Sequence, residues 1–193
     1  MIIALDISTK TGFAVLEDDT SIVETGLIRL SKKIDEFGPY PDSFILAAEQ
    51  IADKISKLVS KYKPKTIVIE ETNRGRARYS QKILEFLHFC VISRLMFLNF
   101  RPKYISSSEW RKTLEIRLSK DDKKNNLKVN DAKRKKIPKK NLGLTGKINK
   151  KHLAVRYAND YWSINLRMKD NDTAEAMLLG LAFLRGAKVC DGK

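Results

Sequence analysis

The chain has 193 residues, with 38 Lys and Arg against 23 Asp and Glu, a formal net charge of +15. That length suits one domain with a real core, and 42% hydrophobic residues exclude a disordered chain. Two cysteines, Cys90 and Cys190, exclude a disulfide scaffold and a cysteine-based zinc site, and they fit a reducing cytoplasm. No apolar run is long enough for a membrane span, and the start, Met1 to Asp6, reaches a carboxylate too soon for a signal peptide. A pI near 9.8 points to a polyanion as partner, nucleic acid first.

In chain order, Ile2 to Ile7 reads as a buried strand, Phe13 to Glu17 as a second and Ile22 to Leu30 as a third, with Gly26 as a bulge. Apolar residues from Ile45 to Val59 recur at helical spacing until Pro64. Thr66 to Ile69 is a buried strand running into Glu70. A helix from about Arg78 to Asn99 is apolar almost all round, which requires cover on more than one side. Pro102 to Ser106 is a fifth strand, and Ser106 and Glu109 have capping-box spacing. Lys150 to Asp160 is helical, and a last helix begins near Asp172. Three strands in succession predict hairpins, and later strands separated by helices predict parallel pairing. The expected fold class is α/β, a mixed five-stranded sheet with helices on both faces.

The charge is concentrated. Residues 101–151 hold 18 Lys and Arg and 5 Asp and Glu, a local net of +13, whereas the rest of the chain nets +2. The densest part, 119–151, shows almost no apolar periodicity and contains Pro138, Gly143 and Gly146. It reads as a flexible basic insertion in a single domain spanning 1–193, an arm over phosphates.

Four carboxylates occupy telling places. Asp6 and Glu70 end the first and fourth strands, where sites collect in open α/β sheets. Asp172 and Glu175, three apart, share one face at the start of the last helix. Converging carboxylates resist joint ionisation unless a cation joins them. Hard oxygen ligands suit Mg²⁺, with Mn²⁺ as a substitute, and two such ions suit phosphodiester hydrolysis. Taken singly, each acid has an ordinary explanation as a strand end or a helix-dipole partner. His88 in the apolar helix reads as packed, and Trp110 and Trp162 read as core or boundary residues.

Leu5-Asp6-Ile7-Ser8-Thr9-Lys10-Thr11-Gly12-Phe13-Ala14 resembles the opening strand and turn of RuvC-type Holliday junction resolvases. Ile67-Val68-Ile69-Glu70 resembles their second acidic strand, and Asp172-Thr173-Ala174-Glu175-Ala176 resembles their closing Asp-x-x-Asp-Ala motif. The resemblance implies the RNase H-like fold, a homodimer, and Mg²⁺-dependent nicking of four-way junctions and related branched DNA. It assigns catalysis and metal binding to Asp6, Glu70, Asp172 and Glu175, the last a Glu where Asp is usual. Arg111 takes the family's basic position after the fifth strand, with Lys150 or Lys151 as a second.

The aromatic wedge that relatives carry after the second acid is missing before Tyr79, leaving Arg74, Arg76 and Arg78 to contact backbone. That predicts weak sequence preference at the cut. Further DNA contacts are expected from Lys133, Arg134, Lys135, Lys136, Lys139, Lys140, Lys150 and Lys151. The enlarged basic segment suggests a bacteriophage or divergent member, acting in the cytoplasm, or in the host cytoplasm if phage-encoded. Three alternatives stand beside this reading: a non-catalytic branched-DNA binder, an RNA-processing nuclease of the YqgF type, and an ATP-binding domain of the actin and sugar-kinase type.

Overall fold

In the computed structural model, residues 1–71, 78–136 and 146–190 are described. They form two compact units, Met1–Leu114 with Asp172–Lys193, and Glu115–Asn171.

The first unit is built on a five-stranded sheet, β1 (Ile2–Asp6), β2 (Lys10–Leu16), β3 (Ile22–Arg29), β4 (Thr66–Glu70) and β5 (Lys103–Ile105), in the order β3-β2-β1-β4-β5. The hairpin strands pair antiparallel, and β4 pairs parallel with both β1 and β5. Alternation then sorts the side chains. Ile3, Leu5, Ile67 and Ile69 enter a core with Phe44, Ile51, Ile55 and Val59 of α1 (Asp42–Tyr62) and Leu87, Val91 and Leu95 of α2 (Arg78–Phe97). Ile2, Ala4 and Asp6 have the opposite parity, and so do Val68, Glu70, Gly12, Ala14 and Leu16. That face receives α6 (Asn171–Leu184), which comes close enough that a Cβ on Gly180 would lie 2.8 Å from Leu16 Cδ1 and 3.1 Å from Ala4 Cβ. The short α3 (Ser107–Thr113) follows β5, and the Ser106 hydroxyl caps it by accepting from the Glu109 amide. A mixed sheet with helices on both faces is the fold class read from the sequence.

Two local expectations are corrected. The irregularity in the β2–β3 ladder falls between Val15 and Leu16, where the register jumps from Glu24 to Ile22, and not at Gly26. Gly26 instead makes room for the Phe13 ring, whose Cε1 would stand 3.0 Å from a Cβ there. The second strand begins at Lys10, three residues before the apolar run that announced it.

The second unit corrects the reading of 119–151 as flexible at 120–134 alone, and residues 137–145 lie outside the described residues. It contains α4 (Lys120–Arg134) and α5 (Lys150–Trp162). Ser119 and Asp122 form a reciprocal capping box on α4. Asp122 is buried and takes both guanidinium nitrogens of Arg156, each at 3.1 Å. The Asn126 amide spans the Ile148 backbone, giving and receiving at 2.8 Å. Buried Asp122, Asn126, Val129 and Ala132 make a single stripe at helical spacing, half of it polar. An apolar pattern search passes over such a helix, because hydrogen bonds and a buried ion pair anchor it. Among the described residues no helix is long and apolar enough to cross a membrane.

Candidate active site

The register of the central strands brings the acids together. Ala4 lies beside Val68 in the parallel β1–β4 pair, so Asp6 and Glu70, each two residues on, emerge on the same face at the strand ends. Across the antiparallel pair Asp6 faces Gly12. Helix α6 starts on that glycine: a Cβ on Gly12 would stand 2.0 Å from the Asp172 carbonyl oxygen. Only a bare Cα lets the helix begin there, and Asp172 and Glu175 share the face it presents. Carboxylate oxygens of Asp6, Asp172 and Glu175 consequently lie within 4.8 Å of one another.

Glu70 stands outside this triad, with one oxygen committed. The buried Trp110 donates its indole Nε1–H to Glu70 Oε2 at 2.9 Å. The next residue, Arg111, donates from Nη2 to Glu175 Oε1 at 2.6 Å and from Nη1 to the Ser107 carbonyl at 2.8 Å. Its guanidinium carbon lies 4.0 Å from the Trp110 ring centroid. Neighbouring residues of α3 thus hold carboxylates from β4 and α6. On the far side, Lys10 Nζ sits 3.0 Å from Asp172 Oδ2.

The Arg111–Glu175 pair is buried, with side-chain exposures of 13% and 9%. The carboxylates of Glu175 and of Asp172, the latter 15% exposed, are withdrawn far enough from water to need compensating charge. Arg111 and Lys10 supply it here, and the Arg111 Nε is buried without an acceptor among the described residues. The donor set is entirely hard oxygen, with no histidine or cysteine, which fits Mg²⁺ or Mn²⁺ and disfavours zinc or copper.

The expected DNA contacts fall in several places. Arg78 opens α2 and is exposed. Lys133 and Arg134 end α4, Lys135 and Lys136 follow it, and Lys150 and Lys151 open α5; all six are exposed. Arg74, Arg76, Lys139 and Lys140 lie outside the described residues. Lys10 and the hydrogen-bonding role of Trp110 were not anticipated from sequence. Starting β2 at Lys10 rather than at Phe13 exposes the missing signal, because Lys10 then shares parity with Gly12 and the face of Asp6. Trp110 carried no such signal, since a buried tryptophan reads as packing.

A five-stranded mixed sheet in this order, with acids at the ends of its two central parallel strands and on the last helix, defines an RNase H-like fold. The particular version is that of RuvC. The chain superposes on Thermus thermophilus RuvC in complex with a Holliday junction substrate with a TM-score of 0.55 and 13% identity, covering 98% of each chain. It superposes on a second T. thermophilus RuvC structure with a TM-score of 0.52 and 12% identity, covering 98% of this chain and 99% of that one. No protein-family model and no curated protein matches the sequence.

Proposed function

We propose that the protein is a divalent-metal-dependent endonuclease that nicks four-way junctions and related branched DNA. The observation that carries this reading is the convergence of Asp6, Asp172 and Glu175 within 4.8 Å, at the strand ends of a RuvC fold. One of the similar structures holds a Holliday junction substrate. Asp6, Asp172 and Glu175 would hold the metal, Mg²⁺ by preference, with Glu70, whose Oε2 accepts from Trp110, as the fourth carboxylate of the set. Divalent ions supply, when bound, activation of the attacking water and charge neutralisation at the leaving 3′ oxygen.

The chain's own residues do the rest. Trp110 fixes the Glu70 carboxylate. Arg111, poised on Glu175, is placed to exchange that carboxylate for the scissile phosphate and its developing charge. The exposed lysines and arginines from Lys133 to Lys136, with Lys150 and Lys151, hold the flanking DNA backbone. Arg74, Arg76, Arg78, Lys139 and Lys140 belong to the same proposed contact set, and the site of action is the cytoplasm.

The enzyme works as a homodimer through α2. Phe89 and Phe97 are 70% and 83% exposed, and Met96 is exposed beside them on the stripe opposite Leu87, Val91 and Leu95. A self-complementary apolar stripe suits a two-fold interface, which places two sites on one junction.

The decisive experiment replaces Asp6 by Asn and compares cleavage of four-way DNA, flaps, duplex and structured RNA with and without Mg²⁺. The expected result is Mg²⁺-dependent nicking of branched DNA by the parent, none by the variant, and junction binding largely retained. Cutting by Asp6→Asn at the parent rate would overturn the assignment.

A further inference from the structure

Two cavities on the first unit adjoin. One, of about 610 Å³, is lined by Thr9, Lys10, Arg29, Lys32 and Lys33 and ends against Asp35 and Tyr79. The other, of about 460 Å³, shares Asp35 and Tyr79 and continues past Tyr40 and Phe44 to Arg78 and Lys82. Lys10 links the first cavity to the acidic site: it lines the cavity, and its ammonium pairs with Asp172 at 3.0 Å. Basic side chains line both cavities, Lys10, Arg29, Lys32 and Lys33 the first and Arg78 and Lys82 the second, and among the described residues Asp35 is the one acidic lining residue.

The cations are arranged to keep their charge available. Among the described residues no carboxylate pairs with Arg29, Lys33 or Arg78. Lys32 Nζ sits 4.7 Å from the Phe37 ring centroid, and Lys82 Nζ sits 5.3 Å from that of Tyr40. A ring face steadies an ammonium group without neutralising it, which a salt bridge would do. The aromatics are equally ordered. Buried Phe44 meets Tyr40 and Tyr79 edge-on, at 5.3 and 5.1 Å between centroids. Both tyrosines are nevertheless 58% exposed. An oriented, half-exposed ring between rows of unpaired cations is the pattern that binds single-stranded nucleic acid, phosphates on the cations and a base on the ring. A closed duplex offers phosphates but no free base face.

We infer that this groove is a single-strand subsite, in which Arg29, Lys32 and Lys33 hold the backbone of a DNA strand leaving the acidic site and Tyr79 stacks an unpaired base. The inference rests on the nuclease reading for its direction away from the metal site, and it adds a specificity element to that reading: a strand that is melted beside the cut is favoured over intact duplex.

The test is binding of a fluorescent single-stranded oligonucleotide carrying 2-aminopurine, with EDTA present so that no cleavage intervenes. Tyr79→Ala should weaken binding about tenfold and abolish the 2-aminopurine quench, while Tyr79→Phe stays within about twofold of the parent. Replacing Arg29, Lys32 and Lys33 together by Gln should reduce the slope of log affinity against log salt by about 2. An unchanged slope overturns the backbone contacts, and an unchanged quench in Tyr79→Ala overturns the stacking site. Cleavage is scored separately on branched DNA. A parent that binds as expected and cuts nothing sinks the nuclease reading and leaves the groove. A parent that cuts while all variants bind normally does the reverse.

Discussion

Gly12 and Asp172 touch through backbone alone: the α-hydrogen of one points at the carbonyl oxygen of the other, 2.0 Å from where a Cβ would be. This contact docks α6 on the sheet beside Asp6 and brings acids from opposite ends of the chain into one cluster. Gly12→Ala has no rotamer to relieve the clash, so the helix start must move. The variant should lose on the order of 2 kcal/mol in urea unfolding. It should also lose Mn²⁺ binding measured by calorimetry, because the Asp6–Asp172 spacing changes with the helix.

Arg111 and Glu175 form the buried ion pair of the site. Arg111→Gln leaves the Glu175 carboxylate withdrawn from water without its guanidinium, which should cost about 3 kcal/mol in EDTA. A divalent cation on the same carboxylates replaces the missing charge. The melting temperature of the variant should therefore rise more with Mn²⁺ than the parent's does, while cleavage stays lost. Equal Mn²⁺ shifts in both proteins would show that Arg111 does not compete with metal for Glu175.

His88 is buried on α2, with no partner for its Nε2 among the described residues, and burial pushes its pKa down to about 4 from 6.5. Unfolding restores the ordinary value, so between pH 6.5 and 4 the unfolded chain binds the extra proton. Stability from this residue is full above pH 6.5 and falls as the pH drops toward 4, by on the order of 3 kcal/mol in total. Urea unfolding of the parent and His88→Leu at pH 7 and pH 5 should show the parent losing stability between them and the variant losing less.

Phe89 and Phe97 leave α2 with an exposed apolar stripe. Replacing Phe97 by Asp should leave the circular dichroism spectrum unchanged and convert the protein to a monomer in sedimentation velocity at micromolar concentration. Paired nicks in one junction should then become independent single nicks.

Much of the site could be read along the chain. A strand that runs into a carboxylate displays its acid whatever packs around it, which is why Asp6 and Glu70 stood out, and the i, i+3 spacing of Asp172 and Glu175 is a property of any helix. The Gly26 bulge failed because a glycine in a strand marks either a kink or a close neighbour, and only the Phe13 ring shows which. Within 119–151, helix α4 was not legible because it is anchored by Asp122–Arg156 and by Asn126, polar contacts that leave no apolar period.

By itself the sequence determined the order of the strands and of the helices with an apolar face, the face of each strand on which its acid emerges, and the concentration of positive charge after residue 101. These are local properties, set by alternation, helical spacing and composition. The tertiary structure decided which cation answers which carboxylate: Lys10 on Asp172, Arg111 on Glu175, and the indole of Trp110 on Glu70. It also divided the basic residues between a capped helical unit and an aromatic groove that Lys10 helps to line. Those pairings span up to 162 residues of chain in the case of Lys10 and Asp172. Nothing in local preference encodes a contact across such a separation. It arises only when burial of the α6 and sheet faces against each other brings distant side chains within hydrogen-bonding reach.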